Sequence, residues 1–225
     1  MSEPIPPVDA IIFDCEGVVV DSEPVWDLGQ AEFLRRHGRV YDRASIKPRL
    51  TGRSLLEGTR LLQEVCALEG GLEELTAERL AIVRELFADG VGFVWGFQEF
   101  FEDVRDAHRT ALATALTPEL LAVVDRRLGL ADLFDDRIYD IETVGCRSKP
   151  HPDIFLHAAE QLGSDPRGCV VIEDAPQGIE AARRAGMATI ALASTHRRDE
   201  LADADMVVDS FAEISMAKGQ PGSRR

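Results

Sequence analysis

A mostly apolar run, Val8 to Phe13, follows a proline-rich start and breaks off in Asp14-Cys15-Glu16-Gly17. Such a run predicts a short strand buried inside a parallel sheet. From about Asp21 to Phe87 the period changes to that of helices. Leu28, Ala31, Phe33 and Leu34 precede Gly38. Leu55, Leu56, Leu61, Leu62 and Val65 form a second stripe that stops near Gly70-Gly71, and Leu80, Val83, Leu86 and Phe87 form a third, closed by Gly90. Apolar residues three and four apart, each stretch ended by glycine, predict helices. No clear strand pattern interrupts the interval, which reads as a helical unit.

After Trp95-Gly96 the pattern alternates. Thr110 to Ala115 predicts a strand, and Pro118 to Leu128 a helix with proline in its first turn. Ile138-Tyr139 is a weaker strand. A helix follows Pro152 as far as Gly163, then a buried strand from Cys169 to Ile172 and a helix from about Gln177 to Ala185, stopped by Gly186. Thr189 to Leu192 and Met206 to Val208 complete the series. Strand and helix in alternation predict an α/β fold, a doubly wound, Rossmann-like parallel sheet. The expected organisation is a core of residues 1–20 and 93–216, an inserted all-helical cap of residues 21–92, and a frayed polar tail from Ala217 to Arg225.

Composition narrows what such a chain can do. Its 225 residues, 45% of them apolar, suffice for a substantial core. The formal net charge of -15 opposes binding to nucleic acid or an anionic membrane, both of which need a basic footprint. The same charge repels an anionic substrate, so a phosphate site here needs a bound cation and a local lysine or arginine. Cys15, Cys66, Cys146 and Cys169 are widely and irregularly spaced, unlike a metal pair or a disulfide framework. With no leader pattern and no apolar run long enough to span a bilayer, the expectation is a cytoplasmic protein with reduced thiols. A monomer is the default.

In open parallel sheets, ligands bind beyond the carboxyl ends of the strands. Asp14 and Glu16 follow the first predicted strand, Thr114 the second, Lys149 the third, and Glu173 and Asp174 the fourth. Four carboxylates brought to one rim repel unless a hard cation neutralises them, and oxygen ligands favour magnesium. Lys149 adds positive potential, Thr114 a hydrogen-bond donor, and an aspartate can serve as a covalent nucleophile toward phosphorus. Each position alone has a plainer reading as a turn residue, a helix cap or a solvated lysine. The joint placement after successive strands is what carries the argument.

The sequence resembles the haloacid dehalogenase superfamily over nearly its whole length, in the branch of sugar-phosphate phosphatases and β-phosphoglucomutase. The stretches that carry the resemblance are IIFDCEGVVVDSEP, ALATA, SKPHPDIFLHAAEQLG and CVVIEDAPQGIEAARRAGM. It implies a magnesium-dependent phosphatase of a small sugar or polyol phosphate, acting through an aspartyl-phosphate on Asp14. Magnesium would be held by the Asp14 carboxylate, the Glu16 backbone carbonyl and the Asp174 carboxylate, with Glu173 beside them pairing with Lys149 or a metal-bound water. Thr114, Ala115 and Lys149 would bind the phosphoryl group. The cap would close over the site, with Arg53 of the TGRS stretch reaching the substrate; a plain surface arginine is an equal reading of that residue.

One departure stands out. The resemblance implies an Asp two positions after the nucleophile, as general acid and then base, and here that residue is Glu16. Its pKa differs from that of Asp by only about 0.4 units, but its carboxyl reaches about 1 Å farther. A working acid, a slowed enzyme and a weakened member that only binds its phospholigand are all compatible with this change. A phosphosugar mutase is disfavoured, because Trp26, Thr51 and Leu55 stand where relatives of that type carry His, Lys and Arg. For Trp26 and Trp95, packing in the interior is the expectation.

Overall fold

The computed structural model of the chain describes residues 8–50 and 53–216. It divides into two compact units, Met1–Asp21 with Gly92–Arg225, and Ser22–Val91. The expected tail from Ala217 and the Thr51 position lie outside the described residues.

In the first unit, β1 (Ala10–Asp14) is followed by β2 (Val20–Asp21), which pairs antiparallel with β3 (Gly92–Phe93) where the chain re-enters the unit. Then come α5 (Phe97–Arg105), β4 (Arg109–Thr114), α6 (Pro118–Leu128), α7 (Leu130–Leu133), β5 (Ile138–Asp140), α8 (Asp153–Leu162), β6 (Cys169–Glu173), α9 (Pro176–Arg184), β7 (Ala188–Leu192) and β8 (Met206–Val208). Six strands form one sheet in the order β5-β4-β1-β6-β7-β8, every pairing parallel. From β1 the chain winds to one side through β4 and β5, then returns past β1 to build β6, β7 and β8. The reversal of winding falls at β1, which is where ligands bind in such sheets.

The two faces of β1 are filled differently, as the two-residue period of a strand requires. Ala10 and Ile12 join Ile154, Phe155 and Ala158 of α8 and Ala181 of α9 in one apolar layer. Phe13, on the other face, sits among Phe97, Phe100, Phe101 and Phe134 with ring centroids 5.7 to 6.2 Å away. Three of those rings come from α5, a helix absent from the sequence reading. Its apolar residues do recur at helical spacing, but three phenylalanines in nine residues have modest helix propensity. Burial against the sheet holds the segment helical.

The second unit consists of helices: α1 (Glu23–Arg36), α2 (Arg43–Leu50), α3 (Leu55–Cys66) and α4 (Leu72–Gly90). The three expected stripes are α1, α3 and α4. The pattern gives no hint of α2, whose buried residues are only Ile46 and Leu50 and which contains Pro48. Phe33, Leu34, Leu62, Leu75 and Ile82 form the unit's own core. Leu28, Leu56 and Val65, counted with the stripes, are exposed instead. A stripe wider than the contact face leaves its margins in water, which is ordinary for protein surfaces. Arg79 of α4 is buried and donates to Gln30 Oε1 at 3.0 and 3.2 Å, to the Leu55 carbonyl at 3.1 Å and to Thr59 at 3.3 Å. These bonds tie α4 to α1 and α3, and burial lowers the guanidinium pKa to about 10. Trp26 packs edge-on against Phe87 at 5.6 Å. Trp95 is 82% exposed, against the expectation of interior packing, because it stands in the turn between β3 and α5 rather than on a helix face. Among the described residues, no helix is long and apolar enough to cross a membrane.

Candidate active site

Parallel register brings the chemistry together. Asp14 ends β1 opposite Ala113, so Thr114, the last residue of β4, lies one step beyond it. Phe13 is level with Ile172, which sets Glu173 at the end of β6 beside Asp14, with Asp174 next. Lys149 arrives in the loop after β5. Asp14, Thr114, Glu173 and Asp174 are all buried, and the Lys149 side chain is only 10% exposed.

Lys149 Nζ donates to Asp14 Oδ1 and, at 2.7 Å, to Glu173 Oε1. Glu173 Oε2 accepts from the backbone N–H groups of Asp174 and Ala175, each at 2.7 Å, so both oxygens of Glu173 are engaged. The Lys149 ammonium also lies 5.0 Å from the centre of the Phe155 ring. Thr114 accepts a hydrogen bond from the Leu116 N–H at 3.0 Å, and its hydroxyl also hydrogen-bonds the Cys15 side chain.

Three carboxylates and one ammonium, all out of water, leave an excess of negative charge. Carboxylate oxygens of Asp14, Glu173 and Asp174 lie within 4.8 Å of one another. Burial raises the Asp14 pKa to about 7; Lys149 works against the shift and Glu173 adds to it. Asp174 is pushed well above the usual carboxylate range by burial, then by Glu173 and Asp14. Burial alone would lower the Lys149 pKa, but Asp14 and Glu173 outweigh it and hold the ammonium above its ordinary range. Such a group relaxes by taking up a proton or a hard cation, and its all-oxygen donor set fits magnesium. Cys15, between Asp14 and Glu16, is held protonated by burial and by those two acids, so it is no nucleophile.

Two glycines make room for the acids. Gly17, with φ of +78°, closes the turn after Asp14; a Cβ there would stand 2.1 Å from Asp174 Oδ2. In the first turn of α9, a Cβ on Gly178 would come within 1.7 Å of Glu173 Oε1. Gly178→Ala therefore forces Glu173 off Lys149. It should cost about 1–3 kcal/mol in urea denaturation, as overpacking does, and weaken any activity of the site. An alanine variant with native stability would show that Glu173 has somewhere else to go.

Of the other expected residues, Glu16 is close enough to raise the Asp14 pKa further. Glu16 is half-buried in the turn after β1, its residue bridged to Val20. Ala115 is exposed just past the end of β4. Arg53 belongs to the helical unit, is exposed, and donates from Nε to the Arg49 carbonyl at 2.7 Å. Lys47 of the same unit is paired with Glu23 and Asp27. Two residues of the site went unread in the sequence. Thr195 donates to Asp174 Oδ2, and Ser194 donates to the Gly17 carbonyl at 2.6 Å. Both follow β7, so the same search for polar groups after strands, carried one strand further, reaches them.

A parallel sheet that reverses its winding at a buried aspartate, with a lysine and a pair of acids beside it, is an α/β fold with a polar site at its switch point. The chain belongs to the haloacid dehalogenase-like hydrolases, whose sequence pattern matches residues 8–186. It is 30% identical over 185 residues to a phosphorylated carbohydrates phosphatase of Thermotoga maritima, covering 81% of this chain and 84% of that one. It is 26% identical over 215 residues to hexitol phosphatase B of Escherichia coli K12, covering 92% and 94%. Among solved structures, a HAD-family hydrolase from Deinococcus radiodurans R1 with bound phosphate and sodium matches with a TM-score of 0.77 and 30% identity, covering 92% of this chain and 93% of that one.

Proposed function

We propose that this chain is a magnesium-dependent phosphatase of a small sugar or polyol phosphate, working through an aspartyl-phosphate on Asp14. The observation that carries the reading is the buried cluster of Asp14, Glu173 and Asp174 against Lys149 at the switch point of the sheet. The phosphatase relatives, and the phosphate and sodium in the relative from Deinococcus radiodurans, support it.

Asp14, the backbone carbonyl of Glu16 and Asp174 are the groups assigned to magnesium; Glu173, engaged through both oxygens, is assigned to holding Lys149. The cation supplies positive charge against the phosphoryl oxygens. In the proposed reaction an Asp14 oxygen forms the bond to phosphorus as the ester oxygen leaves, and Glu16 gives that oxygen its proton. Glu16 then takes a proton from the water that attacks the aspartyl-phosphate, which frees phosphate and restores Asp14. Thr114 and Lys149 bind the phosphoryl oxygens as charge shifts onto them. Discrimination among substrates is assigned to the helical unit as a cap, with Arg53 its candidate contact.

Inorganic phosphate released from a panel of sugar, polyol and nucleotide monophosphates, with and without magnesium, tests the proposal. Magnesium-dependent release is expected, strongest for a sugar or polyol phosphate. Glu16→Gln should lower kcat by about 10²- to 10⁴-fold, the usual weight of general acid–base catalysis, and let the phosphorylated protein accumulate. Silence of the native chain across the panel would sink the phosphatase reading. Unchanged turnover in Glu16→Gln would remove Glu16 from the mechanism.

A further inference from the structure

The loop after β7 touches the candidate cation site at two points. Thr195 Oγ1 donates to Asp174 Oδ2, and Ser194 Oγ donates to the Gly17 carbonyl at 2.6 Å. The carboxyl torsion of an aspartate is broad, so a carboxylate repelled by neighbouring acids turns away unless something fixes it. Asp174 faces such repulsion from Glu173 and Asp14.

The hydrogen bond is directional. A threonine hydroxyl has one proton, and here it is given to Asp174. His196 Nδ1 lies 2.9 Å from the same Oγ1. His196, Thr195 and Asp174 thus form one line of side-chain contacts that ends on the carboxylate. Oδ2 is closed in from the other side as well: a Cβ on Gly17 would sit 2.1 Å from it and 2.9 Å from the Thr195 methyl. Oδ2 is thus held between the Thr195 hydroxyl and the Gly17 backbone, which fixes the carboxylate in place.

We infer that Thr195 is a positioning residue for the cation, fixing the Asp174 carboxylate at the candidate cation site. The inference rests on the cation site of the phosphatase reading and adds a residue to it. Ligand-orienting hydrogen bonds of this kind typically change metal affinity by about 10- to 100-fold. Thr195→Val keeps the shape of the side chain and removes its proton, whereas Thr195→Ser keeps the proton.

The test is calorimetric titration of the metal-free full chain with magnesium, alongside the magnesium dependence of phosphate release. Thr195→Val is expected to bind magnesium about 10- to 100-fold more weakly than the native chain, with Thr195→Ser close to native. The magnesium midpoint for turnover should move by the same factor, while kcat at saturating magnesium stays near the native value. Should Thr195→Val fail to fold, Thr195→Ala is compared with Thr195→Ser in its place. Native affinity in the variant lacking the hydroxyl would overturn the inference, and so would equal weakening in Thr195→Ser, which would make the shape of the side chain responsible. If the native chain itself bound no magnesium, the cation site would fall, and this inference with it.

Discussion

Asp14→Asn is expected to lower phosphate release by about a thousandfold or more, and yet to give a metal-free protein more stable than the native one near pH 8. The two effects have opposite signs because Asp14 is placed for reactivity at the expense of stability. Burial holds its pKa at about 7 in the fold, against 3.8 for the free side chain. Between those values the folded chain keeps a proton that the unfolded chain gives up. The contribution of Asp14 to the stability of the native, metal-free protein therefore falls as pH rises from about 4 through about 7, and stays low above that. Asparagine has no proton to lose, so the variant should lack this part of the decline. Urea unfolding at several pH values, with chelator present, checks the stability half, and a phosphate assay checks the other. An Asn variant that still turned over substrate would exclude Asp14 as the nucleophile.

Lys149→Met should act in the other direction on stability. The ammonium is shared by two buried acids, and its removal leaves Asp14 and Glu173 facing each other uncompensated. Methionine retains contact with the Phe155 ring, so the loss is mainly electrostatic. Breaking a buried pair from one side typically costs about 3–5 kcal/mol, and that is the loss expected in metal-free denaturation at neutral pH. Two circumstances should reduce it: acid, which protonates the abandoned carboxylates, and magnesium, which replaces part of the missing charge. A loss below about 1 kcal/mol, unaffected by either, would mean that Asp14 and Glu173 share a proton and have little need of the lysine.

How much of this was legible beforehand followed from which physical signal each residue leaves. Strands buried on both faces leave continuous apolar runs, so β1, β4, β6 and β7 stand out within a residue or two, as does the short apolar run of the edge strand β8. Asp14, Thr114, Lys149, Glu173 and Asp174 were legible because polar groups directly after such runs are conspicuous. Thr195 has the same signal after β7, but nothing in a lone hydroxyl announces that its partner is an acid twenty-one residues earlier. The α5 segment was missed for another reason. Its helix depends on the rings it buries around Phe13, and that neighbourhood exists only after the sheet has formed. Trp95 and Leu28 show the reverse limit, since apolar character does not say which side of a surface a residue will occupy.

Val20 and Phe93 are adjacent through the β2–β3 pairing, as are Asp21 and Gly92. The segment Ser22–Val91 thus departs and returns at neighbouring points, and it carries an apolar core of its own. For the sheet, those roughly seventy residues amount to a loop whose two ends are already joined, and the entropy of closing a loop grows by only about 0.6 kcal/mol for each doubling of length. Lengthening, trimming or exchanging that segment is accordingly a change at the tip of a hairpin. Such a change leaves Asp14, anchored by Phe13 in a separate core, in its position.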